Sequence, residues 1–416
     1  MKKNKLNIGV IGHGQRGKTI LGLLCNMDDV NVIGVCELYE DRLEAAKQTV
    51  IEKQGKEPFA TLDYHELLAL KNIDAVVCPS SWDSHIPICI DAMNAGVPVG
   101  TEIGCTCDVE LLWELVRTHE KTGVICMGLE NACYCKPELT VLNMVKKGIF
   151  GELVHAEGGY RHDLREEIGM GDRIRHYRLD QYTSRNAELY PMHELGPIAK
   201  CLDINRGNRM VSLVSMASKA RGMHEWAKTR RNEDDVILGR TFNQGDIVQT
   251  HIKCANGETI SLTHDTTLPR AYSRNQVIQG TKATWCEDAK GIFIDDPAKD
   301  SPETHKWDPF DSVYEKYMHP LWREYESQKV NDPHGGIDYL VLRAFLESVR
   351  NKQMPPVDVY DLASWMAVVT LSEKSIALGS MPVPFPDFTN GKWIRREPAP
   401  KSKYSLTEID ESLYEL

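Results

Sequence analysis

The sequence contains no run approaching the ~18 apolar residues that a membrane-spanning helix needs, so no segment reads as one. It also lacks blocks of Lys and Arg. With 49 basic residues scattered against 60 acidic ones and a formal net charge of -11, it offers no footprint for nucleic acid or an anionic membrane. A small neutral substrate is the better expectation. The 14 histidines form no HExxH pair. The 12 cysteines are spread along the chain, and their nearest pairs are Cys105-Thr106-Cys107 and Cys133-Tyr134-Cys135. Structural zinc usually leaves about two to four residues between such ligands. No metal site is expected, and the thiols read as buried and reduced. No internal repeat or low-complexity segment is visible.

The start, Met1-Lys2-Lys3-Asn4-Lys5, is basic like the head of an export signal, but Leu6 to Ile11 is a short apolar run that enters a glycine loop directly. It reads as a first strand, and a cytoplasmic protein is expected, with a removed leader as the open alternative. At 416 residues the chain exceeds one ordinary core, since domains usually run roughly 100 to 200 residues.

Short apolar runs alternate with helical patterns through the first 130 residues. Strands are expected at Asn7–Ile11, Val30–Val35, Ala75–Cys78, Val97–Gly100 and Val124–Met127. Helices are expected at Lys18–Met27, Asp41–Lys53, Tyr64–Leu70, Ile86–Ala95 and Asp108–Thr122. Such βαβ alternation demands a doubly wound parallel sheet with right-handed crossovers. Beyond Asn131 the texture changes to strands joined by Gly- or Asn-containing loops, then to helical patterns at Tyr339–Asn351 and Asp361–Ala377. The fold class is therefore α/β: a Rossmann domain over residues 1–130, then an α+β domain with a mostly antiparallel open sheet over 131–416.

Gly12-His13-Gly14-Gln15-Arg16-Gly17 follows the first strand and opens a helix, and Glu37 ends the second strand. That context makes GxGxxG a dinucleotide fingerprint. Gly12 permits the turn, Gly14 admits the pyrophosphate, Gly17 packs the helix on the sheet, and Gln15 and Arg16 flank the phosphates. Glu37 should accept from the adenosine ribose and repel a 2′-phosphate, which favours NAD over NADP. Trp82, His85 and Glu102 stand at later strand ends, where cofactor-facing residues are expected. For His85 two readings stay open, a cofactor contact or the polar start of the helix at Ile86.

The sequence resembles the superfamily of glucose-fructose oxidoreductase and inositol dehydrogenase over nearly its whole length. Where typical dehydrogenases of that superfamily carry Glu-Lys-Pro, this chain has Glu102-Ile103-Gly104, without the lysine. Several segments resemble a narrower branch, glycoside hydrolase family 109: Leu129 to Tyr134, Gly158-Gly159-Tyr160, Tyr177-Arg178-Leu179, Leu189 to His193, Leu195 to Ile198, His334-Gly335-Gly336 and Phe385 to Thr389. The resemblance implies an NAD-dependent α-N-acetylgalactosaminidase that works by transient C3 oxidation, elimination, water addition and re-reduction.

It places Tyr160, Tyr190 and His193 as catalytic residues and Glu130 and Arg178 as substrate-binding ones, and it implies a homodimer or homotetramer. An imidazole or a phenol can take the proton of a sugar hydroxyl. On residues alone, Tyr190 and His193 also fit a packing pair at a helix start. Arg161, His162, Asp163 and Arg165 read as a solvated loop with His162 bordering the pocket. Glu188 and Glu194 depart from the family pattern, standing where Asn and Gly are common. The rival readings are an NAD-dependent sugar or cyclitol dehydrogenase, and a non-catalytic NAD-binding regulator.

Overall fold

The computed structural model describes residues 5–105, 108–295, 306–328, 332–395 and 399–414. Two compact units result. The first gathers Met1–Cys135, Pro320–Ala363 and Pro398–Leu416, and the second gathers Lys136–His319 and Ser364–Glu397. The sequence places every residue after 130 with the second domain. Composition shows that Ile337–Asn351 is amphipathic but not which sheet it covers, and Phe345 in fact lies 3.1 Å from where a Cβ on Gly100 would stand.

In the first unit the elements run β1 (Leu6–Ile11), α1 (Gln15–Cys25), β2 (Val30–Cys36), α2 (Glu40–Gln54), β3 (Phe59–Thr61), α3 (Tyr64–Leu68), β4 (Ala75–Cys78), α4 (Trp82–Asn94), β5 (Val99–Thr101), α5 (Val109–Thr122) and β6 (Cys126–Gly128). Strand order is β3-β2-β1-β4-β5-β6, parallel throughout. Residues such as Ile8, Val10, Val76 and Val77 are buried because helices cover both faces, which explains why these strands read as continuous apolar runs. Local chemistry sets the helix ends: Asp63 and Asp108 cap α3 and α5, accepting from His65 N and Glu110 N at 2.9 and 2.8 Å. The order reverses between β1 and β4, and ligands bind above that switch point in open α/β sheets.

The second unit is built on a nine-stranded sheet. Its strands are β7 (Leu153–Arg161), β8 (Met210–Ala217), β9 (Ile247–Cys254), β10 (Thr259–Asp265), β11 (Val277–Gly280), β12 (Ala283–Cys286), β13 (Gly291–Ile294), β14 (Asp308–Pro309) and β15 (Val383–Pro384), in the order β14-β13-β12-β11-β7-β10-β9-β8-β15. Pairing is antiparallel except between β7 and β10, which run parallel and place His264 opposite Tyr160. The helix Met192–Cys201 lies against β7 so closely that a Cβ on Gly158 would stand 2.6 Å from Glu194 Cβ.

Ten of the eleven described cysteines are buried, and all eleven are free. Thr106 and Cys107 of the first CxC pair lie outside the described residues. Among the described residues no helix is long and apolar enough to cross a membrane.

Candidate active site

The glycine turn is shaped by contact. Gly12 has φ +106°, and a Cβ there would meet Ser80 Cα at 2.8 Å, while one on Gly17 would meet Gly12 O at 2.3 Å. The turn thus closes on β4 and on itself, which only glycine permits. Over Gly14 the space is open except for the end of Arg42 at 3.8 Å. Gly14 is the N-cap of α1 and brings no side-chain hydrogen bond to it, and Gln15 beside it is exposed, so backbone N–H groups at the positive end of α1 face that space. Glu37 is fixed at the tip of β2: its Oε2 accepts from His13 N at 2.7 Å and its Oε1 from Tyr39 N at 3.3 Å. A phosphate cradle beside an anchored carboxylate fits a nicotinamide dinucleotide.

The Arg16 side chain is engaged by two carboxylates. Its guanidinium donates to Glu102 Oε1 at 2.9 Å and to both oxygens of Asp338 at 2.5 and 2.7 Å. Asn131 Nδ2 donates to Asp338 Oδ1 at 2.7 Å, and His334 Nδ1 lies 2.5 Å from its Oδ2. These partners hold the Asp338 carboxyl well below the usual carboxylate range despite its burial, and the hydrogen bond to Asp338 raises His334 against its burial and the charge of Arg16. Glu102 therefore belongs to a strap tying α1, β5 and the helix Ile337–Asn351 together. Asp338 and Asn131 were missed as site residues; His334 was visible only through the His-Gly-Gly motif.

The strand-end glycine that replaces the dehydrogenase proline is also explained. A Cβ on Gly104 would stand 2.4 Å from Trp82 Cδ1 and 2.9 Å from His85 Nδ1. Because α4 begins at Trp82, His85 is not the polar start of a helix. It is 1% exposed, its Nε2 lies 3.0 Å from Ser80 O, and burial pushes it down to about 4. Trp82, 2% exposed, is packed beneath the same glycine.

In the second unit the sequence-derived residues come together. Tyr160, at the end of β7, has its ring 4.7 Å from that of Tyr190 and 5.7 Å from that of His193, and the last two meet edge-on at 5.1 Å. The Arg178 guanidinium lies 5.0 Å over the Tyr190 ring and pairs with Glu167 at 2.6 Å. His162 is half-buried, 5.8 Å from Tyr160 and edge-on to Tyr272 at 5.1 Å, so it belongs to the cluster's edge and not to a solvated loop. Burial raises the Tyr160 phenol, against the opposing charge of Arg178, and keeps it protonated at neutral pH.

His264 and Tyr182, buried below these rings, carried no sequence signal that marked them. Tyr182 also walls a cavity of about 390 Å³ shared with Arg221, His224, Arg240, Phe242 and Asp246. Glu130, in the first unit, is fully buried, and its Oε1 accepts from Ala132 N at 2.8 Å as the cap of a 3-10 turn.

Comparison with known proteins identifies the family. Residues 6–129 match the oxidoreductase family with an NAD-binding Rossmann fold, and residues 134–395 match the C-terminal domain of glycosyl hydrolase 109. An α-N-acetylgalactosaminidase of Tannerella forsythia is 37% identical over 417 residues, covering 95% of this chain and 88% of that protein. A glycosyl hydrolase family 109 protein of Stenotrophomonas maltophilia is 38% identical, covering 95% and 91%. Levoglucosan dehydrogenase, solved with NADH and levoglucosan, shares the fold at TM-score 0.68 and 15% identity, covering 92% of this chain and 100% of that one. With residues 134–395 matched to that C-terminal domain and its relatives matched nearly end to end, the chain belongs to glycosyl hydrolase family 109, with a nicotinamide-binding Rossmann domain at its N-terminus.

Proposed function

We propose that the protein hydrolyses α-linked N-acetylgalactosaminides, or a closely related hexoside, with NAD as a recycled redox group. The observation that carries the reading is the triangle of two buried phenols, Tyr160 and Tyr190, and the half-buried His193 beside Arg178, in a chain of this family. The carboxylate of Glu37 favours NAD, since a 2′-phosphate there would meet a like charge. Gly12, Gly14 and Glu37 would hold the dinucleotide, which would supply reversible hydride acceptance at the sugar's C3, so that no net NADH would form.

Tyr190 and His193 receive the C3 hydroxyl, and the imidazole takes its proton. The C3 ketone then acidifies the C2 hydrogen. His193 passes the hydroxyl proton to solvent and is again the base that removes the C2 hydrogen, while the Tyr160 phenol, kept protonated by burial, donates to the leaving glycosidic oxygen and is restored by the water that adds at C1. Water adds at C1 of the resulting enone, and Arg178 orients the sugar's polar groups.

The test is incubation with an aryl α-N-acetylgalactosaminide in heavy water. Aglycone release with deuterium at C2 and no accumulated NADH supports the cycle. NADH build-up with an intact glycoside would replace it by a sugar dehydrogenase.

A further inference from the structure

Glu188 is fully buried two residues before Tyr190, and its place is rigidly set. Its N–H donates to Ser372 Oγ at 2.9 Å, and the preceding Ala187 exchanges two hydrogen bonds with the Gln244 amide, at 3.0 and 2.8 Å. A carboxyl so enclosed is an expensive thing to keep unless it acts on a neighbour. That neighbour is His264, equally buried, whose Nδ1 lies 3.6 Å from Glu188 Oε1. On its other side His264 Nε2 is 3.0 Å from Tyr182 Oη, and Tyr182 Oη is 2.6 Å from Thr266 Oγ1. His264 also stands opposite Tyr160 in the β7–β10 register, with the two rings near-parallel at 25° and 6.2 Å apart.

We propose that Glu188, His264, Tyr182 and Thr266 form a buried relay that locks one tautomer of His264 and thereby positions the ring of Tyr160. This rests on the reading that Tyr160 works in the reaction. Glu188 is a positioning residue.

One proton arrangement satisfies the chain without burying a charge. The acid O–H of Glu188 faces Nδ1 across 3.6 Å, longer than a hydrogen bond, while Nε2–H donates to Tyr182 Oη and Tyr182 O–H donates to Thr266 Oγ1. Burial favours the uncharged form at both ends, raising Glu188 and pushing His264 down to about 3, with the charge of Arg178 adding to the latter. The opposite tautomer would aim N–H at the acid and leave Tyr182 and Thr266 to reverse their bonds. A neutral His264 adds no positive charge beneath Tyr160, so the phenol stays a donor.

The experiment compares Glu188→Gln with Glu188→Leu. The amide still offers an N–H to Nδ1, whereas leucine fills the space and offers nothing. Imidazole ¹⁵N spectra of the histidine-labelled holoprotein, with His264 identified by the signal lost in His264→Gln, should show Nε2 protonated and Nδ1 bare from pH 5 to 9 in the wild type and in Glu188→Gln. Glu188→Leu should show mixed tautomers. Its kcat should fall about tenfold with KM nearly unchanged, as for loss of one buried hydrogen-bond donor, while Glu188→Gln stays within a few-fold of wild type.

A charged or Nδ1-protonated His264 in the wild type overturns the proposal. So does a leucine variant with wild-type kcat and tautomer, or a glutamine variant as impaired as leucine, which would require an ionised carboxylate. If the wild type releases no aglycone, the functional reading falls on that result, and the tautomer spectra still decide the relay.

Discussion

Glu37 shows how a single side chain is held ready before any ligand arrives. Its two oxygens accept backbone N–H groups of His13 and Tyr39, so the carboxylate is aimed by the same loop that carries the glycines. Glu37→Gln keeps the shape and removes the charge. NAD binding should weaken about tenfold while the preference over NADP narrows, because like-charge exclusion of the 2′-phosphate is lost. Titration of the purified protein with each dinucleotide, followed by tryptophan fluorescence, measures both. At His193 the expected loss is larger: His193→Ala should lower kcat by about 10²- to 10⁴-fold, the usual worth of a positioned acid-base group, and aryl glycoside hydrolysis reads it. These residues were legible because glycine spacing, strand ends and family segments mark them. Arg16 was legible as present but not as engaged: nothing near it in sequence announces Asp338, more than three hundred residues away.

The same Arg16 is what ties elements together. Asp338 is fully buried and is met by Arg16, Asn131 and His334, joining the first turn of α1 to the helix Ile337–Asn351. Removing one partner of a buried pair strands the other, so Asp338→Ala should destabilise the protein by about 3 to 5 kcal/mol in urea unfolding. The pH sign follows from the depressed carboxyl. Its contribution is fully present above the ordinary Asp value near ~4 and is lost as pH falls toward its native value, so Asp338→Asn should flatten the acid limb of stability below about pH 4.

At this scale the Rossmann strands were readable because burial on both faces makes them continuous apolar runs. The three-residue strand Phe59–Thr61 and the two-residue edges at Asp308–Pro309 and Val383–Pro384 are too short to show a period, and so are the helices Arg165–Gly169, Gly171–Ile174 and Arg178–Ser184. Residues 273–276 stay outside β11, which begins at Val277, since Ser273 pairs only as an isolated bridge with Arg161. The parallel pairing of β7 with β10, which puts His264 beside Tyr160, is set by contacts a hundred residues apart and leaves no local signature.

Across the molecule, several imidazoles are kept uncharged in the interior by burial, and this sets its response to acid. The C-terminal segment, which the sequence left without a role, is part of that interior: Leu406 is 1% exposed, Tyr134 Oη donates to Tyr404 O at 2.9 Å, and Lys403 pairs with Glu324 at 2.7 Å. Within the two units four buried histidines are held neutral. Burial pushes His13 and His85 down to about 4 and His264 and His319 down to about 3. Each depressed imidazole contributes stability that is fully present above its unfolded value near ~6.5 and is lost as pH falls, because the unfolded chain binds a proton that the native one refuses. Glu188, raised by burial, acts in the opposite sense, giving up a proton on unfolding above its ordinary value. Near pH 5 unfolding should therefore take up about three protons net, a slope of about 4 kcal/mol per pH unit. Urea unfolding at intervals between pH 4.5 and 7.5 measures that slope, and His319→Gln, which removes one buried imidazole far in sequence from the proposed chemistry, should reduce it by about a quarter to a third. A flat profile through this range would mean that the four imidazoles titrate normally in the native state, and with it would go the neutral interior on which the donor role of Tyr160 depends.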